Sequence, residues 1–241
     1  MRLPARLDSR QVVHMATGAA LYGVFSWLTN TLALPSISLV VLRPAVVVPV
    51  FFGYSFGVRV GFFTGLVGNL IGDTLTGSGF YPTWDLGNGV LGALPGLARL
   101  GAGRRLGANA VAFLGAGGLV ALAGLMASAR EPLAGAPLLG RGWVPAEHLH
   151  WPLGLAALVL VTWLLARRQG PTAEPVLWGL FGIIGGIGAA ALLDIPYSGL
   201  SFEATMIGQF LPAVAGNTAA LLLLFPPLVR AYQRAQARAG R

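Results

Sequence analysis

The sequence predicts an all-α, polytopic transmembrane helix bundle of about eight segments. Three observations predict it. The chain has 241 residues, 55% of them apolar and only 10% charged, with a mean hydropathy of +0.72. A soluble domain carries about 25% charged residues. Apolar runs near the ~20 residues needed to cross a bilayer recur along the chain. The arginines fall at the ends of those runs, on alternating sides. A fold of this size in water leaves too much surface exposed to hide so much apolar side chain. The bilayer removes that conflict, and residues 1–241 read as one integral membrane domain.

The N-terminus MRLPARLDSRQ is basic and leads into the apolar run 12–34. That run is long and lacks a clear small-x-small cleavage site, so it reads as a retained first helix after a cytoplasmic segment 1–11. The next run, 43–76, is too long for one pass through an ~30 Å core at about 1.5 Å per residue. A break near Gly57 divides it into 43–56 and 57–76. There Gly53, Gly57, Gly61 and Gly65 form an i+4 ladder that allows close approach of helix backbones. The segments 85–101, 106–128, 151–168, 175–194 and 203–229 follow. A Pro- and Gly-rich outer connection, 130–150, interrupts them. The basic tail 230–241 continues the last helix into the cytoplasm, its arginines near anionic headgroups.

With the N-terminus inside, this count places 13 of the 16 arginines on the cytoplasmic side. Arg43, Arg130 and Arg141 are left outside. The positive-inside rule expects that imbalance. Both termini are then cytoplasmic, in a multi-pass protein of a bacterial or archaeal plasma membrane.

Polar residues interrupt the third and fourth segments. Asn69 and Asp73 share one helix face, as do Trp84 and Asn88, with Asp85 beside them. The short linker TGSGFYP brings the two ends together, so these groups converge at one outer depth. Ionisable groups in a membrane segment usually face a cavity or a partner. An outward-opening substrate pocket is therefore expected. Plainer roles compete: Asp85 as an N-cap, Asp73 in an ion pair with Arg43, and Trp84 in an interfacial belt. Asn69 and Asn88 could equally be interhelical hydrogen-bonding groups. Gln209 and Asn217 join the candidates from the last segment, eight apart on one face, with Pro212 able to open the backbone between them. Asn217 also reads as interhelical glue. Asp194 and Tyr197 repeat the polar theme more weakly, and Glu203 after Ser201 reads as helix-start chemistry.

Several function classes are excluded or disfavoured. All sixteen basic residues are Arg, so there is no P-loop lysine and no ATP hydrolysis by that route. No Cys is present, which removes disulfides and thiolate ligands. The pI of about 11.2 does not imply nucleic acid, because the arginines mark topology and form no stripe. An intramembrane serine protease needs a His at membrane depth, and His14, His148 and His150 all lie near interfaces. His148 and His150 have no third ligand for a metal. No enzyme, metal or cofactor is expected.

The stretch 43–97, with GFFTGLVGNLIGD ending at Asp73 and an aromatic outer loop leading to Trp84, resembles the S components of energy-coupling-factor (ECF) transporters. Their riboflavin-type and unknown-substrate branches look most similar. The last helix, FLPAVAGNTAALLLLFPPLVRAY, and the small-xxx-small pair Ala16 and Ala20 in MATGAAL carry the rest of the likeness. The resemblance covers about half the chain and implies six helices, so 106–168 looks like an inserted hairpin. It further implies a subunit that captures a vitamin or similar micronutrient from outside. An ECF transmembrane coupling subunit and two ATPase subunits would be its partners. Carried over by position, Asp73, Trp84, Asp85 and Asn88 would line the pocket, and Ala16 and Ala20 would touch the coupling subunit. Such a pocket suits a planar polar solute, a cationic heterocycle on Trp84 being one form. Because Arg43 can neutralise Asp73, the charge preference stays open. A stand-alone secondary transporter and a non-transporting scaffold are the rival readings.

Overall fold

The computed structural model describes residues 8–31, 43–100 and 150–240, which are helical with no strand among them. Helix α1 spans Ser9–Thr31. A 3-10 turn, Pro44–Val46, leads into the short α2, Val47–Phe56. Helix α3, Val58–Thr76, follows at once, and α4, Pro82–Ala93, runs on into a 3-10 turn, Leu94–Arg99. After 101–149 come α5, His150–Arg167, and α6, Ala173–Ser198. The last helix opens with a single α turn, Phe202–Thr205 (α7), widens into a π-turn, Met206–Phe210, and continues as α8, Leu211–Ala239.

Among the described residues, three helical stretches are long and apolar enough to cross a membrane: Ser9–Asn30, Gly170–Ser198 and Phe202–Ala239. The segment expected at 106–128 lies outside the described residues, as does the loop 130–150 apart from His150. The break expected near Gly57 is present. Gly57 has φ 103° and ψ 173°, a conformation essentially closed to residues with a Cβ. The chain reverses there, so α2 and α3 pack side by side.

Small residues set the order of helices. Helices α1, α3, α4 and α6 form a row, each packed along the next. Between α3 and α4 a methyl group at Gly61 would collide with the carbonyl of Gly92, and one at Gly65 with the carbonyl of Asn88. Gly53 of α2 faces the same Gly92 carbonyl. Three rungs of the expected glycine ladder, Gly53, Gly61 and Gly65, thus form a seam against α4, while Gly57 makes the chain reversal. On the far side of α4, Gly87 meets Gly186 and Ala190, and Gly182 meets the carbonyl of Leu91. Between α1 and α3, Gly68 lies against Tyr22 and Gly72 against Ser26. Without a hydrophobic force between helices in lipid, this closeness of backbones is what holds them.

Helix α2 is only ten residues long, yet eight of them are buried, because α1, α3, α4, α6 and α8 surround it. Protein neighbours shield its ends, so it need not span the hydrocarbon alone. One end of the bundle is tied by aromatic contacts. His14 near the start of α1 stacks on Phe56 at the end of α2 at 3.8 Å, and Tyr232 of α8 packs edge-on to Phe51 and Phe56. Arg99 donates to the Ser55 carbonyl, and Arg230 to the Gln169 carbonyl at 3.3 Å. The start of α1 and the end of α8 therefore share one end, which also carries Arg59, Arg167 and Arg168.

Candidate functional site

The site lies at the opposite end, where α2 begins, α3 ends and α4 begins. Asn69 and Asp73 sit one turn apart on the buried face of α3, 0% and 2% exposed. Asn69 donates through Nδ2 to Asp73 Oδ2 and to Asp85 Oδ1, each at 2.8 Å. Its Oδ1 accepts from Arg43 Nη1 at 2.7 Å. Arg43 Nη2 closes the circuit on Asp73 Oδ1 at 2.8 Å. One carboxamide thus bridges an arginine and two carboxylates, using both N–H groups and its oxygen.

The ion pair of Arg43 with Asp73, weighed from the sequence, is formed. The N-cap role for Asp85 is not. Helix α4 begins three residues earlier than the sequence indicates, at Pro82 with Tyr81 as its N-cap. Proline at the first helical position loses no intrahelical hydrogen bond, which allows the early start. That places Asp85 within the first turn, where its side chain is free to reach across to Asn69.

A second strand of the network passes through α1. Tyr22, wholly buried, donates its phenol to Asn88 Oδ1 at 2.7 Å, and Asn88 Nδ2 donates to the Trp84 carbonyl at 2.9 Å. Near the end of α6, Asp194 accepts from Thr83 at 3.0 Å. Tyr197, four-fifths exposed, takes no part in the cavity. Glu203 lies in the first turn after the N-cap Ser201, whose hydroxyl accepts from the Ala204 N–H, as helix-start chemistry requires.

These groups border a cavity of about 300 Å³. Its wall includes Asp73, Trp84, Asn88, Gln209 and Asn217 of the sequence-derived candidates, together with Tyr22, Arg43, Ser78, Tyr81 and Ile187. Asn69 and Asp85 are not among the lining residues; Asn69 holds Asp73 and Arg43 in place, and Asp85 in turn accepts from Asn69. Gln209 is in the π-turn, and Pro212 explains that turn. Having no N–H, proline cannot bond the carbonyl of residue 208, and the helix widens just before it. Gln209 Oε1 is buried without a hydrogen-bond partner.

The sequence reading missed Tyr22. Its signal was present: Met15, Ala19, Tyr22 and Ser26 form the buried stripe of α1, and a phenol among small residues needs a polar partner. Arg43 was read only as a counter-ion and is also wall.

The floor of the cavity is apolar. One helical turn deeper than Val46, Asn88, Ile187 and Asn217 lie Val50, Leu91, Ile183 and Leu221, all 0% exposed. Ala16 and Ala20 lie elsewhere, on the exposed face of α1 with Val13 and Val24.

A helix bundle with helices long enough to cross a membrane and a cavity of about 300 Å³ at one end fits the class of membrane proteins that handle small solutes. The comparisons narrow that class. The model of the family "ECF-type riboflavin transporter, S component" matches residues 6–129, and the chain belongs to that family. It is a family of membrane transport subunits and not of enzymes. The chain is 35% identical over 100 residues to a UPF0397 protein of Aliivibrio salmonicida, covering 42% of this chain and 54% of that protein. A UPF0397 protein of Aliivibrio fischeri (strain MJ11) is 36% identical over 91 residues, 38% of this chain and 49% of the relative. One from Vibrio atlanticus is 37% identical over 90 residues, 37% and 48% of the two chains. The chain thus spans about half the length of the curated relatives it matches. No solved structure matches it.

Proposed function

We propose that this protein is the substrate-binding subunit of an ECF-type ABC transporter, capturing a vitamin or related micronutrient outside the cell. Import would be driven by ATP hydrolysed on partner subunits. The observation that carries the reading is the cavity of about 300 Å³, with Arg43, Asp73, Asn88, Gln209 and Asn217 among its lining residues. It sits at the end opposite Arg59, Arg99, Arg167, Arg168 and Arg230, with Arg43 in its wall, and would be the outer end under the positive-inside rule. Asp73, Trp84, Asn88, Gln209 and Asn217 would contact the solute, with Asn69 and Asp85 fixing the polar wall. Pockets of this kind orient ligands with a few placed polar groups on an otherwise apolar frame.

The fully buried Val50, Leu91, Ile183 and Leu221 one turn beyond the cavity would suit a subunit that needs partners more than a channel-like path. Ala16 and Ala20, exposed on α1, would meet a transmembrane coupling subunit, since small residues let a partner helix approach closely. The remaining partners would be the two ATPases, since the chain has no P-loop of its own.

One observation favours a second reading. A cavity of about 710 Å³ lies at the basic end, lined by Tyr54, Ala98, Arg99 and Glu174. Two cavities on either side of an apolar layer are where alternating access by the chain alone would begin. Uptake by proteoliposomes holding only this protein would establish that reading. The first is tested by thermal shift of the detergent-purified protein against vitamins, nucleobases and their precursors. A stabilising compound should be lost in Trp84→Ala and Asp73→Ala. A compound indifferent to both moves the site elsewhere, and no stabilisation by any compound favours the scaffold reading, since a ligand must stabilise the state it binds.

A further inference from the structure

We propose that the basic end of the bundle carries a site for one anionic phospholipid. Arg167, Arg168 and Arg230 hold its phosphate, and its acyl chains lie along α5 and α8. The site is at the opposite end from the cavity of about 300 Å³ and does not depend on what that cavity binds.

Charge is the first argument. Helix α5 ends in Arg167, and Arg168 follows it into the turn before α6. From α8, Arg230 donates to the Gln169 carbonyl at 3.3 Å, and Gln169 Nε2 donates to the Leu222 carbonyl at 3.5 Å. Those contacts bring the Arg230 guanidinium within one residue of Arg168. No carboxylate among the described residues pairs with any of the three arginines. Glu174, the acid nearest to Gln169 along the chain, lines the separate cavity with Tyr54 and Arg99. Like charges gathered without a counter-ion repel one another. A phosphate removes that repulsion and accepts charge-assisted hydrogen bonds from the guanidinium groups.

Shape is the second argument, because an exposed apolar track leads to the arginines on each helix. On α5, Val161, Leu164 and Leu165 are exposed, and Arg168 continues their face. On α8, Leu223 is 74% exposed, and Pro227, Arg230 and Arg234 continue its face toward the same end. Val161 precedes Arg168 by the same spacing as Leu223 precedes Arg230, roughly 10 Å along a helix. Two aliphatic tracks that meet at a shared cationic head match an amphiphile, whereas a free anion would use only the head. Trp163 sets the depth. An indole suits the headgroup level, and the Arg167 guanidinium lies over its ring at 4.7 Å. Basic pockets between membrane helices on the cytoplasmic side bind anionic headgroups in this way.

The test is native mass spectrometry of the detergent-purified full chain with dioleoyl phosphatidylglycerol or dioleoyl phosphatidylcholine added, and thermal shift alongside. One phosphatidylglycerol should stay bound, at least tenfold more tightly than phosphatidylcholine. Arg168→Gln combined with Arg230→Gln should remove most of that preference. Arg10→Gln combined with Arg238→Gln loses the same charge at the same end and should change binding less than twofold. Arg230 also ties the turn after α5, so Arg168→Gln alone is the second variant. The Arg168 guanidinium has no partner among the described residues, so the fold should be kept while affinity falls at least threefold. Equal losses in the two charge-matched pairs would reduce the site to diffuse surface charge and overturn it. Equal binding of both lipids would overturn it as well. Glycerophosphate stabilising as strongly as phosphatidylglycerol would overturn the lipid in favour of a soluble phosphate. A dimer that excludes lipid would overturn it in favour of a second copy of the chain.

Discussion

At the scale of single residues, the network around Asn69 decides how the cavity end of the bundle holds together. Removing one member of a buried ion pair strands the other, which costs several kcal/mol. Arg43 keeps 24% of its side chain exposed, so the cost here is at the low end. Asp73→Ala should destabilise by about 2–3 kcal/mol, measured by chemical denaturation in detergent. Asp73→Leu combined with Arg43→Leu should recover part of that loss. A double variant worse than either single one would contradict the pairing. Tyr22→Phe removes only a hydroxyl but leaves Asn88 Oδ1 buried without its donor. A loss of about 1–2 kcal/mol is expected. The individual contacts were half legible in the sequence. Asn69 and Asp73 share α3, so helix periodicity alone places them together. The link from Asn69 to Asp85 crosses between helices, and no local pattern announces it.

Helices meet through glycine, and that is where element-scale predictions belong. Gly61→Ala drives a methyl into the Gly92 carbonyl, a backbone atom that cannot rotate away. Forcing α3 from α4 should cost about 2–3 kcal/mol. Gly188→Ala is the control. Its added methyl would meet only the Phe210 ring, at 3.4 Å, and helix propensity should make it neutral or slightly stabilising. A melting series of the two variants checks the contrast; equal losses would mean the seam is not a packing contact. On α1, Ala16→Trp and Ala20→Trp face outward and should leave the fold intact while abolishing co-purification with co-expressed ECF subunits. The elements themselves were largely readable. Apolar length marked α1, α6 and the final helix, and Gly57 marked the reversal. Helix α4 was misplaced at its start because Pro82 can begin a helix as readily as it can end a loop, and local sequence does not choose.

For the whole molecule, the arrangement makes a sided prediction. The start of α1, the end of α2 and the end of α8 meet through His14, Phe56 and Tyr232, with the cavity at the other end. The chain has no native Cys, so single-cysteine variants report position cleanly. In intact cells a membrane-impermeant maleimide should label Ser78→Cys at the cavity mouth. It should leave Arg234→Cys unlabelled until the membrane is opened. The reverse pattern would invert the topology and with it the direction of capture.

By itself the sequence determined the solvent in which this protein folds, its helical class and the burying of polar groups at one depth. Those follow from composition and from periodicity along single helices, which are local properties. Only the tertiary structure decided that Asn69 spans two carboxylates, that Tyr22 joins the wall, and that Val50, Leu91, Ile183 and Leu221 close the floor. Each of those contacts depends on how near two helix backbones can come. That nearness is set by glycines on one helix meeting carbonyls on another, a match between distant parts of the chain that no single segment carries.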